Sequence, residues 1–338
     1  MNEILTQPNE LKSRFDLAGR GPIVVDGATG YLGSHLVAAL AASGADIRCL
    51  VHKGSKAEDV QVLKNLGAKV FVGELTGNDE QVTSAFKDAR VGVHLIGSIA
   101  PKKGLSHDLL HVVMTDSFIE KSKAGGVENA LMVTALGTKA NAPSTYHATK
   151  WLAEESLRKS GLNSTILRPS LLVGRQVGRR NSKLVDRLLK VIAEKKAVPL
   201  VNGGANKLQP LFIGDMAMAA VASIDKLTGA NGEVSGGVND HGSKDPIELG
   251  GNEILPMRDF VKQLMAVLHV DKSIVTLPYP IAMAAATVCQ LIQEVPVLSC
   301  DQVKLSMRDN ICTDNRIEEL LGAKPVPLST ALQVYASK

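Results

Sequence analysis

"VVDGATGYLGSHL", residues Val24 to Leu36, sets an apolar run against a glycine turn and then the first turns of a helix. "IVVD" reads as a buried strand, and "YLGSHLVAALAASG" as a helix stopped by Gly44. Gly27 permits a tight turn, and Gly30 lets the backbone approach a pyrophosphate. Gly33 lets the helix pack close on the strand, while the helix N-terminus faces the anion. A glycine triplet by itself is weak evidence. Its place between a strand and a helix is what points to a dinucleotide.

Outward from this turn, strand and helix alternate. "ADIRCLV", "AKVFVG", "VGVHLIG", "ALMVTALG" and "STILRPS" read as further strands. Between them lie the helical segments "SKAEDVQVLKNLG" with Ser55 as its cap, "NDEQVTSAFKD", "LLHVVMTDSFIEKSKAGG" and "PSTYHATKWLAEESLRKSG". Such alternation implies right-handed crossovers and an α/β fold: a doubly wound, Rossmann-type parallel sheet with helices on both faces. After Gly174 the regularity is lost. The expected organisation is an N-terminal extension over 1–21, a dinucleotide-binding domain over 22–174 to which 208–230 returns, and a smaller, mostly helical substrate-side region over 175–338. Within the last, "NGEVSGGVNDHGSKDPIELGG" (231–251) reads as loop, and "IAMAAATVCQLI" from Ile281 as a buried helix or, alternatively, an interfacial one.

The chain has 338 residues, enough for a sizeable core, with 45% hydrophobic and 21% charged residues, as in ordinary globular proteins. A net charge of +4 and 3% aromatics argue against a nucleic-acid partner, since neither a basic face nor a stacking surface is indicated. Cys49, Cys289, Cys300 and Cys312 show no metal-ligand spacing, so no metal is expected and the thiols read as reduced. The N-terminal residues carry acids and lack the apolar core of a secretory signal, which fits a cytoplasmic location.

An acid that would grip a ribose 2′-hydroxyl is missing after the second strand, where "CLVHKGSK" supplies His52, Lys53 and Lys56. Cations there could meet a 2′-phosphate, which favours NADP over NAD. The plain alternative is a solvated charge cluster.

Tyr146 and Lys150 lie one helical turn apart, so both face the same way. The pair suits proton transfer, with the cation pulling the phenol pKa down. "GATGYLG", "TALGTKANAPSTYHATKWLAEESLRKSGLNSTILRPSLLVG" and "LQPLFIGDMAMAAV" together resemble the extended and atypical short-chain dehydrogenases, over about residues 22–230. "VHLIGSIAP", "TALG" and "LSCDQVKLSMRDNICTDN" are similar to the branch holding the dehydrogenase-like accessory subunit of respiratory complex I and its bacterial relatives.

The resemblance implies roles. Tyr146 would be the general acid or base, Lys150 would hold the nicotinamide ribose, and Thr134 would take the place of the serine that bonds the substrate oxygen. Cofactor contacts would fall on Gly27, Thr29, Gly30, Tyr31, Leu32, Gly33, His52, Lys53, Ile96 and Lys150. Asp215 reads as a helix cap and Arg168 as ordering a loop near the cofactor. The run Arg175, Arg179, Arg180 and Lys183 reads as solvated, with an anionic substrate, a membrane surface or a partner as the alternatives. Three positions depart from the family pattern: Asp26 before the first glycine, His52 where an arginine is common, and His111 where an asparagine is common. A carboxylate at Asp26 would weaken pyrophosphate binding unless it points away or is neutralised. The expected function is an NADP-dependent oxidoreductase acting on a small carbonyl or alcohol. Its alternatives are a subunit that holds a dinucleotide without turnover, peripheral to a membrane complex or in a homo-oligomer, and an NmrA-like redox-sensing regulator.

Overall fold

The computed structural model describes residues 14–229, 245–294 and 296–336. Seven parallel strands form the central sheet, in the order β11-β6-β5-β4-β1-β2-β3. They are β1 (Pro22–Val25), β2 (Asp46–Val51), β3 (Lys69–Val72), β4 (Val91–His94), β5 (Asn129–Val133), β6 (Asn163–Pro169) and β11 (Ile247–Leu249). The order runs outward from β1 in one direction and from β4 in the other. The carboxyl ends of these two neighbours therefore form the switch point where a Rossmann-type sheet opens a crevice.

The crossover helices are α1 (Tyr31–Ala42), α2 (Ala57–Asn65), α3 (Glu80–Phe86), α4 (Met114–Ala124) and α5 (Thr145–Lys159). Helix α1 lacks charged residues in its first and last turns and buries Leu36, Val37 and Leu40. These pack with Met216, Ala217, Val221 and Ile224 on one sheet face. On the other face Val82, Phe86, Phe118, Ile119 and Leu157 form a second cluster. Both faces are thus covered, which is why strands such as β5 are buried throughout.

After Gly174, helix α6 (Lys183–Glu194), strand β8 (Ala197–Val201) and helix α8 (Met257–Val267) build a satellite core around Leu188, Ile192, Leu200, Phe260 and Leu264. The chain returns to the main sheet through α7 (Ile213–Thr228) and β11. Strand β8 pairs in parallel with β13 (Ser273–Leu277), so the satellite is not helical alone. The short strands β7 (Leu172–Val173) and β10 (Leu211–Phe212) pair with each other, as do β9 (Lys207–Leu208) and β12 (Leu255–Pro256), and further on come α9 (Tyr279–Ile292), α10 (Cys300–Leu305), α11 (Ile317–Leu321) and α12 (Leu328–Gln333).

Three local expectations change. Residues 247–249, read as loop, form the edge strand β11, because Ile247 and Leu249 bury against β6 while the glycines around them masked the run. The rest of 231–251 up to residue 244 lies outside the described residues. Lys56 rather than Ser55 occupies the cap of α2, without a side-chain bond. Helix α9, read as buried, hides only Ala282 and Ala286.

A Cβ added at Gly33 would overlap the Gly27 carbonyl oxygen and lie 2.8 Å from Ala28 Cα, both backbone atoms that cannot move aside. Gly33→Ala is expected to lower the unfolding free energy by about 1–3 kcal/mol in urea denaturation, with lost dinucleotide binding. Unchanged stability would show that α1 has room to shift.

Candidate functional site

A cleft of about 1650 Å³ opens over the carboxyl ends of β1, β4 and β5. Gly27, Thr29, Gly30, Tyr31, Leu32, Gly33, His52, Ile96, Thr134, Tyr146 and Lys150 all line it. Residues 120 apart in sequence thus share one crevice, because the crossovers bring the first turn and α5 to the same sheet edge.

At its floor Asp26 is buried and turned away from the glycine turn. One carboxyl oxygen accepts the amides of Leu95 at 2.7 Å and Ile96 at 3.2 Å. The other meets His94 Nδ1 at 2.5 Å. His94 Nε2 lies 2.9 Å from the Thr115 hydroxyl, which itself donates to the His111 carbonyl at 2.5 Å. The acid that departs from the family pattern is therefore consumed by protein donors. The amides at the start of α1 remain open: its cap residue Gly30 has no side-chain bond and its first turn has no acid. A Cβ on Gly27 would lie 3.2 Å from Ile96 N, so the turn packs directly on the segment Asp26 organises. This cradle fits a pyrophosphate.

Lys150 is 3% exposed, and its ammonium donates to the Ile96 carbonyl at 2.9 Å. Gly97 makes the approach possible, since a Cβ there would sit 2.6 Å from Nζ. Burial pushes the Lys150 pKa down to about 8, partly offset by Asp26 and Glu154. Burial also pushes the Tyr146 phenol up to about 12. The sequence reading had the cation lowering it. Lys150 points instead to Ile96, and desolvation dominates, so Tyr146 is a protonated donor at neutral pH.

His111 sits in a π-helical turn, Leu109–Val113, that runs into α4. Its ring stands edge-on to Tyr146 at 5.3 Å. The Ser98 amide can only donate, so His111 Nε2 accepts at 3.3 Å and the ring proton lies on Nδ1, facing Thr149 Oγ1 at 2.7 Å. Burial and then the Lys150 charge hold its pKa down near 2, so this imidazole stays neutral and ties the loop after β4 to α5.

The remaining candidates are placed less simply. The Thr134 hydroxyl donates to Glu154 at 2.7 Å rather than into the cleft. Glu154 is fully buried and also receives Arg168 through paired bonds of 2.8 and 2.5 Å and Arg158 at 2.8 Å. Arg168 therefore braces β6 against α5 instead of ordering a cofactor loop. His52 faces Glu74 at 3.2 Å, and Lys53 turns out of the cleft to Asp79 at 3.2 Å. Tyr31 donates its hydroxyl to the Gly174 carbonyl at 2.8 Å, leaving its backbone amide at the helix start. Asp215 caps nothing in its own helix; it accepts the Val326 amide at 2.7 Å, and burial raises its pKa to about 6. Of the basic run, Arg179 pairs with Glu58 at 3.0 Å, and Lys183 donates to Ser98 and Ala100 at 2.8 Å.

Sequence reasoning passed over Glu154 and Asp301. Glu154 follows Tyr146 and Lys150 at the same spacing of four, a signal of one helix face. Asp301 on α10 accepts the amides of Thr145 at 3.3 Å and Tyr146 at 3.0 Å, and so caps α5 from far along the chain. Nothing local announces that contact.

A lysine whose folded pKa is depressed destabilises the fold at any pH where the unfolded chain is charged. The penalty is complete below about pH 8 and vanishes toward 10.5. Lys150→Met should therefore raise the unfolding free energy of the nucleotide-free protein by about 1–3 kcal/mol at pH 7, with the gain fading as pH approaches 10. A variant less stable than the parent at pH 7 would contradict this.

Residues 27–194 match the family described as NAD(P)H-binding. Over 305 residues the chain is 24% identical to the mitochondrial NADH dehydrogenase [ubiquinone] 1 alpha subcomplex subunit 9 of Arabidopsis thaliana, covering 87% of this chain and 71% of that one. It is 29% identical to a ceramide reductase of Caulobacter vibrioides over 46% of this chain and 47% of the relative. Among solved structures, an NADPH-dependent quinone oxidoreductase of Escherichia coli superposes with a TM-score of 0.66 at 18% identity, covering 92% of this chain and 98% of that one, a likeness of fold. Residues 27–194 thus carry an NAD(P)H-binding domain by similarity, and the chain as a whole is similar to the complex I alpha-9 subunits.

Proposed function

We propose that the protein is an NADP-dependent oxidoreductase that reduces a small carbonyl, with Tyr146 as proton donor. The carrying observation is that Tyr146 and the buried Lys150 line the same cleft as the open helix start at Gly30. A dinucleotide with its pyrophosphate at that helix start has this cleft to lie along, and when bound it supplies the hydride. Lys150, released from the Ile96 carbonyl, would hold the ribose hydroxyls. Tyr146 gives its O–H proton to the substrate oxygen, so that C=O becomes CH–OH. The phenolate left behind is steadied by the Lys150 ammonium and is reprotonated from solvent. In this reading residues 22–174, with the return at 208–230, are the cofactor side and the rest of 175–338 the substrate side.

The preference for NADP rests on the missing acid after β2 and on His52, Arg179 and Arg180 lining that end of the cleft. Glu74 beside His52 opposes it, so the preference should be modest, about tenfold in Kd.

A second reading has its own support. Thr134 spends its hydroxyl on Glu154, leaving the substrate oxygen without that donor. A subunit that holds the dinucleotide without turning it over fits this, and the Arabidopsis relative is named as a subunit of a larger complex.

Titration with NADPH and NADH, read by nicotinamide emission and chased with excess NADP⁺, separates the two. Exchange within seconds and NADPH oxidation by a short-chain ketone or aldehyde are expected, with Tyr146→Phe binding equally well but turning over at least a hundredfold slower. Tight, non-exchanging nucleotide would overturn the enzyme reading in favour of the second.

A further inference from the structure

Helix α9 carries no charged residue from Tyr279 to Ile292 and is apolar on both sides. On its inner side Ala282 and Ala286, with the partly buried Met283, pack on Val303 of α10. Larger side chains point outward, with Ile281 58%, Val288 53%, Leu291 66% and Ile292 73% exposed. Val297 and Met307 extend the patch at 60% and 42%. A surface helix that buries only two alanines and leaves four large apolar side chains in water carries an unpartnered apolar face.

Cations stand at both ends of this helix. Lys103 donates to the Leu291 carbonyl at 3.2 Å, and Lys102 lies beside it, 4.0 Å from Glu294. At the other end Lys304 and Arg308 share a small hollow with Tyr279 and Met307. Glu294 lies within this rim, and the buried Asp301 stands 3.9 Å from Lys304, so two of the four cations have an acid beside them. Four cations around an uncharged apolar ridge complement an anionic lipid surface: headgroup phosphates meet the rim, and the ridge enters the acyl boundary. At 14 residues α9 is too short to span a bilayer, and no described helix is long and apolar enough to do so.

We propose that α9 and its cationic rim dock the protein on an anionic membrane surface. Lys102 and Arg308 also line the mouth of the cleft, together with Leu105 and Leu305. Docking therefore brings that mouth to the bilayer, where an amphiphilic molecule can enter without crossing water. The inference stands on the surface itself and holds whether or not Tyr146 turns over a substrate.

The test is co-sedimentation of the full chain with vesicles of phosphatidylglycerol and phosphatidylcholine in equal parts, against vesicles of phosphatidylcholine alone. Binding at least tenfold stronger to the anionic vesicles is expected, weakening with added salt. Leu291→Ser/Ile292→Ser and Lys102→Glu/Lys103→Glu should each reduce it at least tenfold. Thermal melts and NADPH titration of the serine variant check that the fold is intact. No binding to anionic vesicles would overturn the proposal, as would binding that the serine substitutions leave unchanged. A dimer in solution that those same substitutions dissociate would overturn it too, by assigning the ridge to a second copy of the chain.

Discussion

One buried carboxyl group organises the functional end of this molecule. Asp26 follows β1 and accepts two successive amides beyond β4, at Leu95 and Ile96. That fixes the two strands at the switch point and sets the surface on which Gly27 turns. It also aims the Ile96 carbonyl at Lys150, whose ammonium it receives. Glycine turn and Tyr–Lys helix are thereby coupled through a single residue. An acid before the first glycine looks like an obstacle to a pyrophosphate. Here it is a strut, directed away from the anion and satisfied by protein donors, as a buried polar group must be.

Helix α5 is braced in a similar way along its length. Asp301 caps its first amides, His111 and Thr149 hold its middle, and Glu154 ties its inner face to Arg168 on β6. Each contact comes from a different part of the chain. Tyr146 is therefore presented by a helix with little freedom to move, a condition for geometry-dependent proton transfer. The lysine carries the opposite sign of effect. Its burial destabilises the fold, and such local conflict is common where a residue serves chemistry rather than packing.

The fold was legible because its signals are local. Glycines 27, 30 and 33, the alternation of short apolar runs with amphipathic helices, and the spacing of Tyr146 and Lys150 each lie within a few residues. Strand β11 escaped because three residues between Pro246 and Gly250 are too few to show a periodicity. The pairing of Thr134 with Glu154, of His52 with Glu74 and of Asp301 with the α5 amides depends on tertiary approach, to which no sequence window is sensitive. Helix α9 misled for another reason: an apolar composition says that a segment avoids water, not what shields it.

The central claim is that one cleft holds the dinucleotide from the glycine turn to Tyr146. A crystal structure of the protein with NADPH tests it most directly. The account expects the pyrophosphate at the amides of Tyr31 and Leu32, the nicotinamide beside Tyr146, and Lys150 moved from the Ile96 carbonyl toward the ribose. A nucleotide bound elsewhere, or one whose nicotinamide lies away from Tyr146 while Lys150 keeps its bond to Ile96, would contradict it.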